Sequence, residues 1–165
     1  EITEGPQVIV GSSMGGWIML LAALARPTRV AGLLGIAPAP DFTEDLMWEQ
    51  FDGGVRETLH RDGIYLEPSE YGDEPYVITM QLIEEGRNHL LLREPLRLTC
   101  PLRILQGMAD PDVPWRHALK IAEAYEGDDV DITYIKKGDH RLSEPADIAR
   151  LLHTVEELAN NSVAD

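Results

Sequence analysis

One five-residue stretch restricts the fold of this chain more than any other. Gly11-Ser12-Ser13-Met14-Gly15 follows a short β-branched run, Gln7 to Val10, and opens directly onto an apolar segment, Met14 to Ala25. A run of this kind ending at a glycine reads as a buried strand. The apolar segment reads as a helix stopped by Arg26-Pro27, and a helix apolar on every side is expected to be buried on most of them. A strand that turns into a helix with no connecting residues holds its apex residue in a strained conformation and tolerates only small neighbours. Gly11, Gly15 and Gly16 supply those neighbours. Val30 to Ile36 is a second apolar strand. Two strands joined by a helix over this span make a βαβ unit with parallel strands.

The rest of the chain divides around a long interruption. From Ala37 to Arg97 glycine and proline punctuate short stretches, read as helical around Thr43 to Phe51, Val55 to Arg61 and Tyr76 to Leu92. So long an insertion between two strands is usually a functional lid. Regular alternation resumes with a strand at Leu102 to Gln106, a helix at Trp115 to Tyr125 and a strand at Val130 to Ile135. A last helix follows, with Ser143 as its cap and Glu144 and Pro145 in its first turn. The expected organisation is therefore α/β: residues 1–36 and 98–165 form a core of parallel strands with flanking helices, and 37–97 a helical cap.

Composition narrows the partners. The 165 residues carry 14 Lys+Arg against 29 Asp+Glu, a formal charge of −15. Phosphate binding needs a basic face, so a nucleic-acid binder is excluded, and adhesion to anionic membranes is disfavoured. The longest apolar run, Trp17 to Ala25, is too short to span a bilayer. Cys100 is the sole cysteine, so neither an intramolecular disulfide nor a cysteine-based zinc site can form, and a reducing compartment fits.

The chemistry-bearing residues fall at strand ends. Gly11 to Gly15 is a G-x-S-x-G motif in the strand-to-helix setting that gives it meaning. Ser13 projects above the carboxyl end of the sheet, and the Met14 N–H at the helix N-terminus lies where an oxyanion would form. A serine hydroxyl needs a base, and the base an orienting acid. Asp110 stands in the loop after the Leu102 to Gln106 strand, and His140 in the loop after the Val130 to Ile135 strand. Asp112 is a rival acid two residues on. Asp110 is preferred because a turn before Val113-Pro114 points the earlier residue back over the sheet. Asp139 reads as a solvated neighbour. His60, His89, His117 and His153 lie in the insertion or in helices remote from the strand tips.

Three segments together carry a family likeness: Gln7 to Trp17, Leu105 to Trp115 and Gly138 to Leu142. They resemble the α/β-hydrolase superfamily, in the branch of the mitochondrial palmitoyl-protein thioesterase, also described as mycophenolic acid acyl-glucuronide esterase, and its bacterial relatives. The likeness runs to about Asn160, and the chain resembles the C-terminal two-thirds of a member. It implies Ser13 as nucleophile, Asp110 as orienting acid and His140 as general base. It further implies hydrolysis of carboxylic esters or thioesters through an acyl-enzyme, with no metal and no organic cofactor. The insertion corresponds to a cap over an acyl pocket, for which Trp48, Phe51 and Met80 are candidate lining residues. Packing within the cap is their alternative role.

Full members of that family have upstream strands and a loop that donates a second oxyanion N–H. Loss of one such donor typically costs about 2.7–4 kcal/mol of transition-state stabilisation. The expected partners are a small acyl ester or acyl-thioester and an upstream half of the same fold, which would cover the apolar edge of Val8, Ile9 and Val10. Without that half, the isolated chain is expected to aggregate and to be a poor catalyst. The competing reading is a non-catalytic packing module whose triad is idle. The compartment is expected to be cytoplasmic in a bacterium or mitochondrial in a eukaryote.

Overall fold

A computed structural model describes residues 3–67 and 75–161. They form two compact units, one from Glu1–Pro40 with Leu91–Asp165, the other from Asp41–Leu90. Ala37 to Pro40 and Leu91 to Arg97, expected in the insertion, thus group with the first unit.

The first unit is built on a four-stranded parallel sheet of β1 (Gln7–Ser12), β2 (Val30–Ile36), β5 (Leu102–Gly107) and β6 (Val130–Ile135), ordered β1-β2-β5-β6. Helix α1 (Met14–Ala25) follows β1, α4 (His117–Ala124) lies between β5 and β6, and α5 (Pro145–Asn161) follows β6. Successive strand residues point to opposite faces, so neighbours in the chain serve different cores. Leu33 and Ile104 pack with Met19, Leu20 and Ala23 of α1 and Ala118 and Ile121 of α4. Leu34 and Leu105 pack with Leu142 and with Leu158 of α5, joined by Leu151 and Val155. Helices therefore cover both faces, in keeping with the near-continuous apolar run of β2.

Two expectations for this unit change. Helix α1 is not buried on most sides: Met14 and Ile18 are 50% and 56% exposed, and its inward face is Gly16, Trp17, Met19, Leu20 and Ala23. Ser143 does not cap α5. The helix begins at Pro145, and the Glu144 carbonyl accepts from the Asp147 and Ile148 amides. Strand β1 stands at the end of the strand order among the described residues, and its Val10 is exposed.

The second unit is only partly helical. A π-helical segment, Thr43–Trp48, precedes α2 (Gly53–Asp62), and α3 (Met80–Arg87) ends the unit. Between α2 and α3 lies an antiparallel pair, β3 (Ile64–Glu67) and β4 (Tyr76–Thr79), in register Ile64↔Thr79 to Glu67↔Tyr76. Tyr76 to Thr79 is thus a strand, not the start of a helix, in keeping with its run of tyrosine and β-branched residues. Gly63 makes the turn out of α2 at φ 73°, a conformation that favours glycine. Asp52 caps α2 through the Val55 amide, and Thr79 caps α3 through the Leu82 amide. Buried Leu59, Ile78 and Ile83 form the core of this unit.

Candidate active site

The apex of the β1–α1 turn is Ser13. Its backbone sits at φ 52° and ψ −122°, a strained position for a residue with a side chain. Small neighbours make the turn possible: a Cβ on Gly11 would strike the Gly15 carbonyl, and one on Gly16 would lie 2.5 Å from Pro38 Cβ. The strain is held from both sides by the end of β2. The Ser13 amide donates to the Ile36 carbonyl (2.9 Å), and the Ser13 carbonyl accepts from the Ala39 amide (3.0 Å). Between those two anchors Ala37 also takes a positive φ, 43°. Met14 is the first residue of α1, so its N–H has no carbonyl to meet within the helix.

The loops after β5 and β6 are laced together. Met108 donates to the Ile135 carbonyl (2.9 Å), and Ala109 to the Gly138 carbonyl (3.0 Å). A Cβ on Gly107 would collide with the Gly138 carbonyl, so the two loops approach at backbone contact. This lacing delivers Asp110 to His140. The His140 Nδ1 lies 2.9 Å from Asp110 Oδ2, and its Nε2 lies 3.0 Å from Ser13 Oγ.

Asp110 is fully engaged. Its side chain has no exposed surface. Oδ1 accepts from the Asp112 amide (2.8 Å) and the Val113 amide (2.9 Å), and Oδ2 faces His140 and the Gln106 Nε2 (3.3 Å). Burial pushes its carboxyl up, but the bond with His140 and the two amides outweigh this and hold it below the usual range. An ionised carboxylate can only accept, so Nδ1 carries the ring proton and Nε2 is left to accept from the Ser13 hydroxyl. The hydrogen bond that His140 Nδ1 donates to Asp110 raises the His140 pKa above its ordinary 6.5. Burial opposes the rise, while the charges of Asp110, Asp112 and Asp139 add to it.

The structure brings Ser13, His140 and Asp110 together, with Met14 beside Ser13 in the chain. Asp112 contributes its backbone amide to Asp110. Asp139 does more than stand in solvent: its Oδ1 accepts from the Arg141 and Leu142 amides and shapes the loop that carries His140. His117 is buried, with Nε2 2.8 Å from the Pro40 carbonyl. Trp48, Phe51 and Met80 come together within the second unit, against the core of Leu59, Ile78 and Ile83. Arg56 and Arg87 both lie over the Trp48 ring, at 5.2 and 4.8 Å.

Ligand atoms of Asp110, Asp112 and His140 fall within 4.8 Å of one another, the spacing of a cation site. Both oxygens of Asp110 and both ring nitrogens of His140 already hold hydrogen bonds, however, so the set fits a proton relay and not a metal cage. Gln106 and the Ala37 to Ala39 segment are the parts that sequence reasoning passes over. The one visible signal is a carboxamide that directly follows the apolar pair Ile104-Leu105 at the end of a strand.

The prolyl oligopeptidase family profile matches residues 3–164. Over 159 residues, 96% of this chain, it is 42% identical to the palmitoyl-protein thioesterase ABHD10, mitochondrial, of Mus musculus and 39% identical to that of Homo sapiens. Those matches cover 53% and 52% of the relatives, so the chain spans about half their length. Among solved structures, alpha/beta hydrolase domain-containing protein 10 from mouse superposes with TM-score 0.89 at 40% identity, over 98% of this chain and 64% of that one. Among the described residues, no helix is long and apolar enough to cross a membrane.

Proposed function

Because the chain belongs to the prolyl oligopeptidase family, a family of α/β-hydrolases, we propose that it is a serine hydrolase acting on carboxylic thioesters or esters. The observation that carries this reading is the continuous relay Ser13 Oγ–His140–Asp110, with separations of 3.0 and 2.9 Å. Similarity to relatives named palmitoyl-protein thioesterases supports an acyl-thioester as the substrate class.

Ser13 Oγ attacks the acyl carbon as its proton passes to His140 Nε2. The imidazolium that forms is stabilised by the Asp110 carboxylate, which stays ionised because its amide donors and His140 hold it so. Negative charge developing on the acyl oxygen is met by the Met14 N–H and the N-terminus of α1. The leaving group departs and takes the proton from His140, which returns the imidazole to its neutral form. A thiolate, with an ordinary pKa of about 8.5, needs that proton less than an alkoxide does. Water then attacks the acyl carbon as its proton passes to the neutral His140, and His140 hands that proton to Ser13 Oγ as the Ser13–acyl bond breaks and the acid leaves. Similarity to the mouse relative, itself named mitochondrial, supports a mitochondrial compartment if the host is a eukaryote.

A fluorophosphonate probe tests the assignment together with turnover of an acyl-thioester series. Labelling at Ser13, abolished by Ser13→Ala and His140→Ala, is the expected result. Folded protein that takes no label and hydrolyses no acyl-thioester would return the chain to the reading of an idle packing module.

A further inference from the structure

Gln106 is the last residue of β5 before its closing glycine and has no exposed surface. Its Nε2 is ringed by three acceptors: the Gly107 carbonyl (3.1 Å), the Val113 carbonyl (3.2 Å) and Asp110 Oδ2 (3.3 Å). Three acceptors around one atom fix the orientation of the carboxamide, since its oxygen placed there would face only other oxygens. The price of this arrangement is visible, because Oε1 is buried with no hydrogen-bond partner among the described residues. A side chain that spans the base and far end of the Gly107 to Val113 loop while leaving its own oxygen unsatisfied is a poor choice for a core position. What it provides is the fourth hydrogen bond on the Asp110 carboxylate.

Resting on the serine-hydrolase reading, we propose that Gln106 is a positioning residue for the reaction. It clamps the acid loop and donates to Asp110 Oδ2, and so sets both the direction of the carboxylate and the basicity of His140. Asp110 Oδ2 has two donors to share, His140 Nδ1 and Gln106 Nε2. With the amide gone, the carboxylate concentrates more charge on His140, which then holds its proton more tightly. The other charged groups facing His140 are Asp112 on the same loop as Asp110 and Asp139 on its own loop. Neither is altered by a change at position 106.

The test uses the full chain and the variants Gln106→Met, which removes the donor at similar length, and Gln106→Glu, which replaces it with an acceptor. The His140 ring protons are followed by NMR against pH, and kcat and KM for an activated acyl-thioester are measured over the same range. In Gln106→Met, the expected result is a higher His140 pKa, an acidic limb of kcat/KM moved up in pH by the same amount, and a kcat lowered about tenfold with KM little changed, the lower end of the range seen when hydrogen-bond partners of metal ligands are removed. Gln106→Glu shifts the limb further in the same direction. In the unaltered protein, the Gln106 side-chain amide resonances move in step with His140 titration, which reads the contact even if a variant fails to fold. A folded Gln106→Met protein with an unchanged His140 titration and pH limb overturns the proposal, as do Gln106 amide resonances indifferent to His140. The NMR arms need no turnover. Absence of fluorophosphonate labelling at Ser13 in the folded unaltered chain therefore counts against the serine-hydrolase reading, while an unmoved His140 titration counts against Gln106.

Discussion

Replacing Asp110 with asparagine changes one atom of the site and inverts its hydrogen bonding. The carboxamide oxygen introduced by Asp110→Asn keeps the two loop amides of Asp112 and Val113, because those contacts need only an acceptor. The new NH2 group then faces His140 Nδ1 and Gln106 Nε2, both of which donated to Oδ2 before. Two donors cannot point at a donor, so His140 turns to the tautomer with Nδ1 bare and the proton on Nε2. That nitrogen then points its proton at Ser13 Oγ and can accept nothing from it. Loss of the base by this route lowers kcat on the order of 10⁴-fold, about 5.4 kcal/mol at the transition state. The retained loop amides keep the stability loss small, about 1–3 kcal/mol for the broken charge-assisted bond. The assay is steady-state hydrolysis of an activated acyl-thioester at pH 8, with thermal denaturation of the same samples. Asp112→Asn, whose contribution to Asp110 is a backbone amide, should stay within a few-fold of the unaltered chain. An Asp110→Asn variant within tenfold of full activity, or an Asp112→Asn variant that loses more, would refute the reasoning.

Further outcomes are expected. His140 must be neutral to act, and its pKa is raised, so the acidic limb of kcat/KM has its midpoint above pH 6.5; a limb centred below that value counts against the Asp110 contact. The same pair contributes to stability only between two limits: it is lost as pH rises through the raised His140 pKa and as pH falls through the lowered Asp110 pKa. Activity therefore peaks on the alkaline side of that contribution, which a pH series of melting temperatures set beside rates will show. Ser13→Gly should be more stable than Ser13→Ala by about 1–3 kcal/mol, since only glycine takes φ 52° without strain; calorimetry of these two inactive variants decides it. Gly16→Ala drives a Cβ into Pro38 and should lower stability by about 1–3 kcal/mol, read as a fall in melting temperature together with weaker fluorophosphonate labelling.

Much of this molecule is legible in the chain because its chemistry sits at punctuation marks. Val30–Ile36 and Val130–Ile135 are strands with the expected bounds, each a β-rich run closed by loop residues. Ser13, Asp110 and His140 stand out because each residue type comes just past such a run. Tyr76 to Thr79 reads as helix because four β-prone residues run directly into the amphipathic turn of α3, and the short partner Ile64–Glu67 carries no hairpin signal of its own. Helix α1 is less deeply buried than its composition suggests, because periodicity reports which side chains are apolar, not how many neighbours the fold supplies. The role of Gln106 is passed over and that of Asp139 read as mere solvation for a different reason. Their roles are individual hydrogen bonds to loop groups, and one amide or carboxylate sets up no periodicity along the chain.

The hydrogen bonds that hold the three reacting side chains run from strand end to strand end. Ser13 is tied to Ile36, Ala37 to Leu105, Met108 to Ile135 and Ala109 to Gly138. Each of these links leads back into β1, β2, β5 or β6, so the relay shares its fate with the sheet. Heating should accordingly produce no stage at which the sheet persists and the site is already scrambled. Thermal inactivation and loss of strand structure will follow one curve, and the amides of Ser13, Ala37 and Met108 will exchange with solvent only by global opening.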